Sequence, residues 1–132
     1  MRSESMIVPL SSAPVLVVED DNPLRAAMLR VLAHAGLSAI GVSNGNEALD
    51  YLATGRPPMA ILLDLELPLM DGGTLRWLLL SDPRWARIPV VVCSADSDAV
   101  ASRSLPGIER WLEKPFSPTV LVDAVRPYHL VS

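Results

Sequence analysis

The sequence predicts an α/β fold, a doubly wound five-stranded parallel sheet with helices on both faces. Three observations lead there. Short runs of Val, Leu and Ile alternate five times with segments of helical periodicity. The runs are continuously apolar rather than alternating, as in strands buried on both faces. Each intervening segment carries the chain back across the sheet, which makes the strands parallel and the crossovers right-handed.

The first strand, Val15 to Glu19, runs into Asp20 and Asp21. Asn22 supplies a helix N-cap and Pro23 the favoured first position. Leu24, Met28, Val31, Leu32 and Ala35 then follow at helical spacing until Gly36 stops the helix. "LSAIGVS" is a second, weaker strand, and "NGNEALDYLATG" a short helix that turns Ala48, Leu49 and Leu52 inward before Gly55. "MAILLD" is the third strand and "GGTLRWLLLSD" the third helix. Pro89 opens the fourth strand, "PVVVCS", and a short helix in "DSDAVASRSL" is stopped by Pro106 and Gly107. "ERWLE" is the fifth strand. Ser117 and Pro118 repeat the cap-then-proline arrangement before a helix that turns Val120, Leu121, Ala124 and Val125 inward.

The 132 residues fit one domain, expected over 13–132 behind a loose leader of residues 1–12. A hydrophobic fraction of 50% and a mean hydropathy of +0.33 supply a core and exclude disorder. The net charge of -4 and pI near 5.0 argue against binding nucleic acid directly. No apolar run approaches the roughly 20 residues of a membrane helix, so no membrane insertion is expected. The single Cys93, inside "VVVCS", reads as a small buried hydrophobe and excludes a disulfide framework. These features together suggest a cytoplasmic protein.

In open parallel sheets, ligands sit at the carboxyl ends of the strands, where strand order reverses. There the sequence places Glu19, Asp20 and Asp21, then Asp64, then Ser94, then Lys114 followed by Pro115. A bare Asp64 carboxylate at a buried strand tip would cost several kcal/mol, roughly, unless a cation met it. Carboxylates about 5 Å apart also repel by roughly 3 kcal/mol at an effective dielectric near 20, a cost that a divalent ion removes. All-oxygen ligands with open positions and no nearby His or Cys favour Mg²⁺ over Ca²⁺. Asp21 reads equally well as a complement to the helix dipole. Ser94 or Lys114 alone would be a turn residue or a solvated lysine; their shared edge is what gives them chemistry.

These residues match the pattern of a known family. "VLVVEDDNPLR", "NGNEALDYL", "ILLDLELPLMDG" and "IPVVVCSA…WLEKPF", in that order, resemble the receiver domain of two-component response regulators. The resemblance covers Val15 to Val125 and is to the single-domain, chemotaxis-regulator-like form. It implies the flavodoxin-like strand order 2-1-3-4-5. Asp64 then resembles the phosphoacceptor, with Glu19 and Asp20 as the acidic pair that holds Mg²⁺ and Asp64 and the backbone carbonyl of Glu66 as further ligands. Ser94 is similar to the hydroxyl that hydrogen-bonds the phosphoryl group, and Lys114 to the lysine that pairs with a phosphoryl oxygen. The Lys114–Pro115 bond is typically cis in the family. Trp111 stands where a switch aromatic turns inward.

The expected function is a phosphorylation-dependent signalling switch rather than an enzyme acting on other substrates. Its partners would be a sensor histidine kinase or histidine phosphotransfer protein and a downstream protein target. Asp64, at an ordinary pKa of about 3.9, would already be ionised. Pro68, Gly72 and Gly73 would let the loop turn tightly beside it. One alternative is a phosphorylation-independent interaction module. Another is a phosphatase of the haloacid dehalogenase type, which would want an aspartate where Glu66 stands. The segment from Ser94 to Lys114 is shorter than usual for the family. Glu66 and Asp96 are expected either to tune the lifetime of a phosphoryl group through extra negative charge or to be solvated and inert. Trp77 reads as surface packing.

Overall fold

The computed structural model describes residues 13–95 and 105–129. The leader, the segment expected to hold the short fourth helix, and Asp96 lie outside the described residues. Five strands appear: β1 (Val15–Val18), β2 (Ala39–Val42), β3 (Ala60–Asp64), β4 (Val90–Ser94) and β5 (Ile108–Glu113). The described helices are α1 (Asn22–His34), α2 (Gly45–Thr54), α3 (Gly72–Leu80) and α4 (Pro118–Val125), with a 3-10 turn over Arg126–Tyr128. All strand pairs are parallel and the order is β2-β1-β3-β4-β5, as anticipated.

The continuous apolar runs are explained by a core on each face. Val15 and Val17 of β1, Leu62 of β3, Val91 and Cys93 of β4 and Leu112 of β5 pack with Met28 and Leu32 of α1 and Leu121, Ala124 and Val125 of α4. Their alternates, Leu16, Val18, Ile61, Leu63, Val90 and Val92, pack with Ala48 and Leu52 of α2 and Leu75 and Leu79 of α3. This is the period of two expected of a strand, with both sets of side chains out of water.

Local capping follows the sequence with one correction. Asn44 and Ser117 cap α2 and α4, accepting from the N–H groups of Glu47 and Val120. The cap of α1 is Asp21 rather than Asn22: its Oδ1 accepts the Leu24 N–H at 3.1 Å. A proline suits either of the first two helical positions here, so Pro23 does not decide which of two adjacent Asp/Asn residues caps. Asn22, displaced into the helix, accepts from Arg25 Nη2 at 2.7 Å. No helix among the described residues is long and apolar enough to cross a membrane.

Candidate phosphoacceptor and metal site

Strand periodicity assembles the site. Two residues beyond Val17, Leu62 and Leu112, which face the α1/α4 core, stand Glu19, Asp64 and Lys114. Their side chains therefore leave the sheet on one side and meet. Lys114 Nζ lies 2.8 Å from Glu19 Oε1 and 3.3 Å from Asp64 Oδ2. Ser94, two residues beyond Val92, belongs to the opposite side, and its carbonyl accepts the Lys114 backbone N–H at 2.9 Å. The Lys114–Pro115 peptide is cis.

Glu19 and Asp64 are buried, at 1% and 3% exposure, whereas Asp20 is exposed. Backbone donors hold the two buried carboxylates: Glu66 N–H to Asp64 Oδ1 at 3.0 Å, and Asp21 N–H to Glu19 Oε2 at 3.1 Å. Arg25 Nη1 donates to the Glu19 carbonyl at 2.8 Å and pins the end of β1. One carboxylate oxygen from each of Glu19, Asp20 and Asp64 lies within 4.8 Å of the others. Asp21 supplies none of these; its side chain is spent on the helix cap.

The electrostatics depart from expectation at Asp64. Burial, followed by the adjoining Glu19 carboxyl, pushes its pKa from 3.8 up to about 6, against the pull of the Glu66 N–H and Lys114. An isolated carboxylate would sit near 3.9; loss of water and a neighbouring carboxyl make its charge harder to hold. For Lys114, burial lowers the pKa, but Glu19 and Asp64 outweigh it and the net direction is up, so the ammonium stays charged. Burial pushes the Cys93 thiol up to about 12, which leaves it an inert hydrophobe.

Three carboxylates converge on this edge, and the Lys114 ammonium pairs with two of them, Glu19 and Asp64. An excess of negative charge in an all-oxygen donor set fits a hard divalent cation. One donor, Asp20, faces solvent and gives such an ion an entry side.

On the other side of Asp64, the Glu66 carboxylate is not freely solvated. Ser94 Oγ donates to its Oε2 at 2.8 Å, and the Ala95 N–H donates to its Oε1 at 3.3 Å. Trp111 is half-buried and packs against the α2/α3 core. Trp77 is 59% exposed on α3, a surface residue as expected.

Sequence reasoning missed Arg76. It is only 3% exposed, with Nε donating to the Pro106 carbonyl at 3.0 Å and Nη2 to that of Gly107 at 3.1 Å. Arg76 thus fixes the chain entering β5. The signal was available: Gly72, Leu75, Arg76 and Leu79, the buried residues of α3, fall at i, i+3, i+4 and i+7.

Comparisons with known proteins identify the family. Residues 15–126 match the family described as the response regulator receiver domain. Over 104 residues the chain is 39% identical to the DNA-binding transcriptional regulator NtrC of Salmonella typhimurium, covering 77% of this chain and 22% of that protein. The chain thus spans about a fifth of the length of the NtrC proteins it matches. Among solved structures, a sensor protein from Polaromonas sp. JS666 superposes with a TM-score of 0.80 at 28% identity, covering 88% of this chain and 94% of that one. The phosphorylated cyanobacterial phytochrome response regulator RcpA gives 0.73 at 30% identity, covering 88% and 90%. With a family match spanning residues 15–126, a strand order and an acidic edge that agree with it, this chain belongs to the response regulator receiver domains.

Proposed function

We propose that this chain is a phosphoacceptor switch. It takes a phosphoryl group onto Asp64 from a histidine kinase or histidine phosphotransfer protein, with Mg²⁺, and in response changes the surface it offers a downstream protein. The observation that carries this reading is the Asp64 carboxylate, buried at a strand tip, with the Lys114 ammonium 3.3 Å from its Oδ2 and carboxylate oxygens of Glu19 and Asp20 within 4.8 Å. The related RcpA, 30% identical, is phosphorylated in its crystal structure.

In the reaction, one Asp64 carboxylate oxygen forms a bond to phosphorus as the bond to the donor breaks. The donor's leaving group, acetate from acetyl phosphate or the imidazole of a phosphohistidine, departs with the electron pair. Glu66 N–H orients the nucleophile through Oδ1, and Lys114 balances a phosphoryl oxygen. Glu19, Asp20, Asp64 and the Glu66 backbone carbonyl would hold Mg²⁺, which when bound supplies charge neutralisation for the phosphoryl oxygens. Ser94 contributes a hydroxyl donor. Trp111, packed beside β4 on the α2/α3 side, is the aromatic that would respond to a movement of Ser94. The protein acts on its own phosphoryl group, forming and hydrolysing it, and on no other substrate.

The test is intact mass after incubation with acetyl phosphate and Mg²⁺. The wild type gains one phosphoryl mass and Asp64→Asn gains none; an unmodified wild type overturns the reading. Beryllofluoride with Mg²⁺ distinguishes a phosphorylation-independent module, which would give no response.

A further inference from the structure

We infer that the Glu66 side chain is a built-in occupant of the donors that would bind the phosphoryl group, and that phosphorylation must displace it. The inference deepens the reading of Asp64 as phosphoacceptor and rests on it. β3 and β4 are neighbours, with Asp64 opposite Cys93, so Ser94 and Ala95 lie just beyond the acceptor. There, one Glu66 carboxylate oxygen takes the Ser94 hydroxyl at 2.8 Å and the other takes the Ala95 N–H at 3.3 Å. Two oxygens of one anion thus engage a hydroxyl and the next backbone amide, as two oxygens of a phosphoryl group would.

The occupancy is exclusive because each donor has a single proton. A serine hydroxyl donates one hydrogen bond and a backbone amide one, so neither serves two anions fully. The anions also repel: a phosphoryl group on Asp64 would bring roughly -2 of charge next to the Glu66 carboxylate. Glu66 is exposed overall, so its side chain can swing into water without repacking the core. Its backbone N–H, which bonds Asp64 Oδ1, belongs to the main chain and does not have to move with the side chain. One residue therefore orients the acceptor with its main chain and withholds the switch donors with its side chain. Poor phosphodonors face a barrier that a docked kinase can help to overcome, and the carboxylate can reclaim Ser94 once the phosphoryl group is hydrolysed.

Glu66→Ala tests this, with the rate of mass gain from acetyl phosphate and Mg²⁺ as one readout. The initial rate is expected to rise roughly tenfold, the scale of one charge-assisted hydrogen bond no longer to be broken. In a Ser94→Ala background the same substitution is expected to give a smaller gain, since one of the two donors is already gone. The second readout needs no metal: the Ala95 amide resonance of the free protein should shift, and its hydrogen exchange quicken, in Glu66→Ala. Equal labelling rates in wild type and Glu66→Ala, or an unmoved Ala95 amide, would overturn the inference alone. If neither protein gains mass, the phosphoacceptor reading itself falls, and this inference with it.

Discussion

The carbonyl oxygen of Asp64 lies 2.6 Å from the point that a Cβ on Gly72 would occupy, and the Leu65 Cα lies 2.8 Å from it. Both are backbone atoms and cannot swing aside. The Gly72 N–H donates to the Leu65 carbonyl at 3.0 Å, so α3 starts hard against the tip of β3. Gly72→Ala is therefore expected to lower stability by about 1–3 kcal/mol, read as a shift of the urea midpoint. It should also slow phosphoryl labelling, because the strand tip moves with the loop. Gly73→Ala should be much milder, since its Cβ would meet at worst the Asp71 side chain at 3.3 Å.

The raised pKa of Asp64 makes stability depend on pH in a definite direction. Burial and then the Glu19 carboxyl lift it from 3.8 to about 6, so the folded protein holds this proton where the unfolded chain has released it. The resulting stabilisation is present at low pH and is lost as pH rises from 3.8 through about 6. In a chelator, Asp64→Asn should flatten this component of the pH profile and melt above wild type at pH 7. Thermal unfolding of the two proteins across this range checks it. Added Mg²⁺ should stabilise wild type most at the upper end, where the carboxylate is ionised.

Removing the ammonium should do the reverse. Glu19 is 1% exposed, and Lys114 Nζ is 2.8 Å from it. Lys114→Met leaves two buried carboxylates without their cation, an expected loss of about 3–5 kcal/mol without metal. Mg²⁺ is expected to restore part of that stability, measured as a larger metal-induced rise in melting temperature than wild type shows.

The helix cap at Asp21 separates local stability from the chemistry. Asp21→Ala deletes the bond to the Leu24 N–H but keeps the Asp21 N–H that holds Glu19. A loss of about 1 kcal/mol is expected, with phosphoryl labelling at the wild-type level. Urea unfolding and intact mass measured on the same preparation decide it.

Much of this was legible in the sequence, for physical reasons. Strands covered on both faces must be apolar throughout, so "VLVV", "AILLD" and "VVVCS" announced themselves, and the ionisable residues after them marked the ligand edge. Side-chain direction in a loop has no such signal. Glu66 could be placed beside Asp64, but its bonds to Ser94 and Ala95 depend on how two loops approach. Leu69 gave no warning either: it adopts φ 68 with 89% exposure, and Met70 N–H reaches back to the Pro68 carbonyl at 2.6 Å. A tight turn there would ordinarily call for glycine or asparagine. The proton affinity of Asp64 was also hidden, since it depends on burial and on Glu19, distant in sequence.

The pleat of the sheet has a mechanical outcome. Glu19, Asp64 and Lys114 root in the layer beneath α1 and α4, whereas Ser94 and Trp111 root in the layer beneath α2 and α3. Asp64, at the seam, is tied to both through Lys114 on one hand and Glu66 on the other. A phosphoryl group on Asp64 that took the place of the Glu66 carboxylate at Ser94 would keep Lys114 on one side and gain Ser94 on the other, so a few added atoms would bear on both halves of the sandwich.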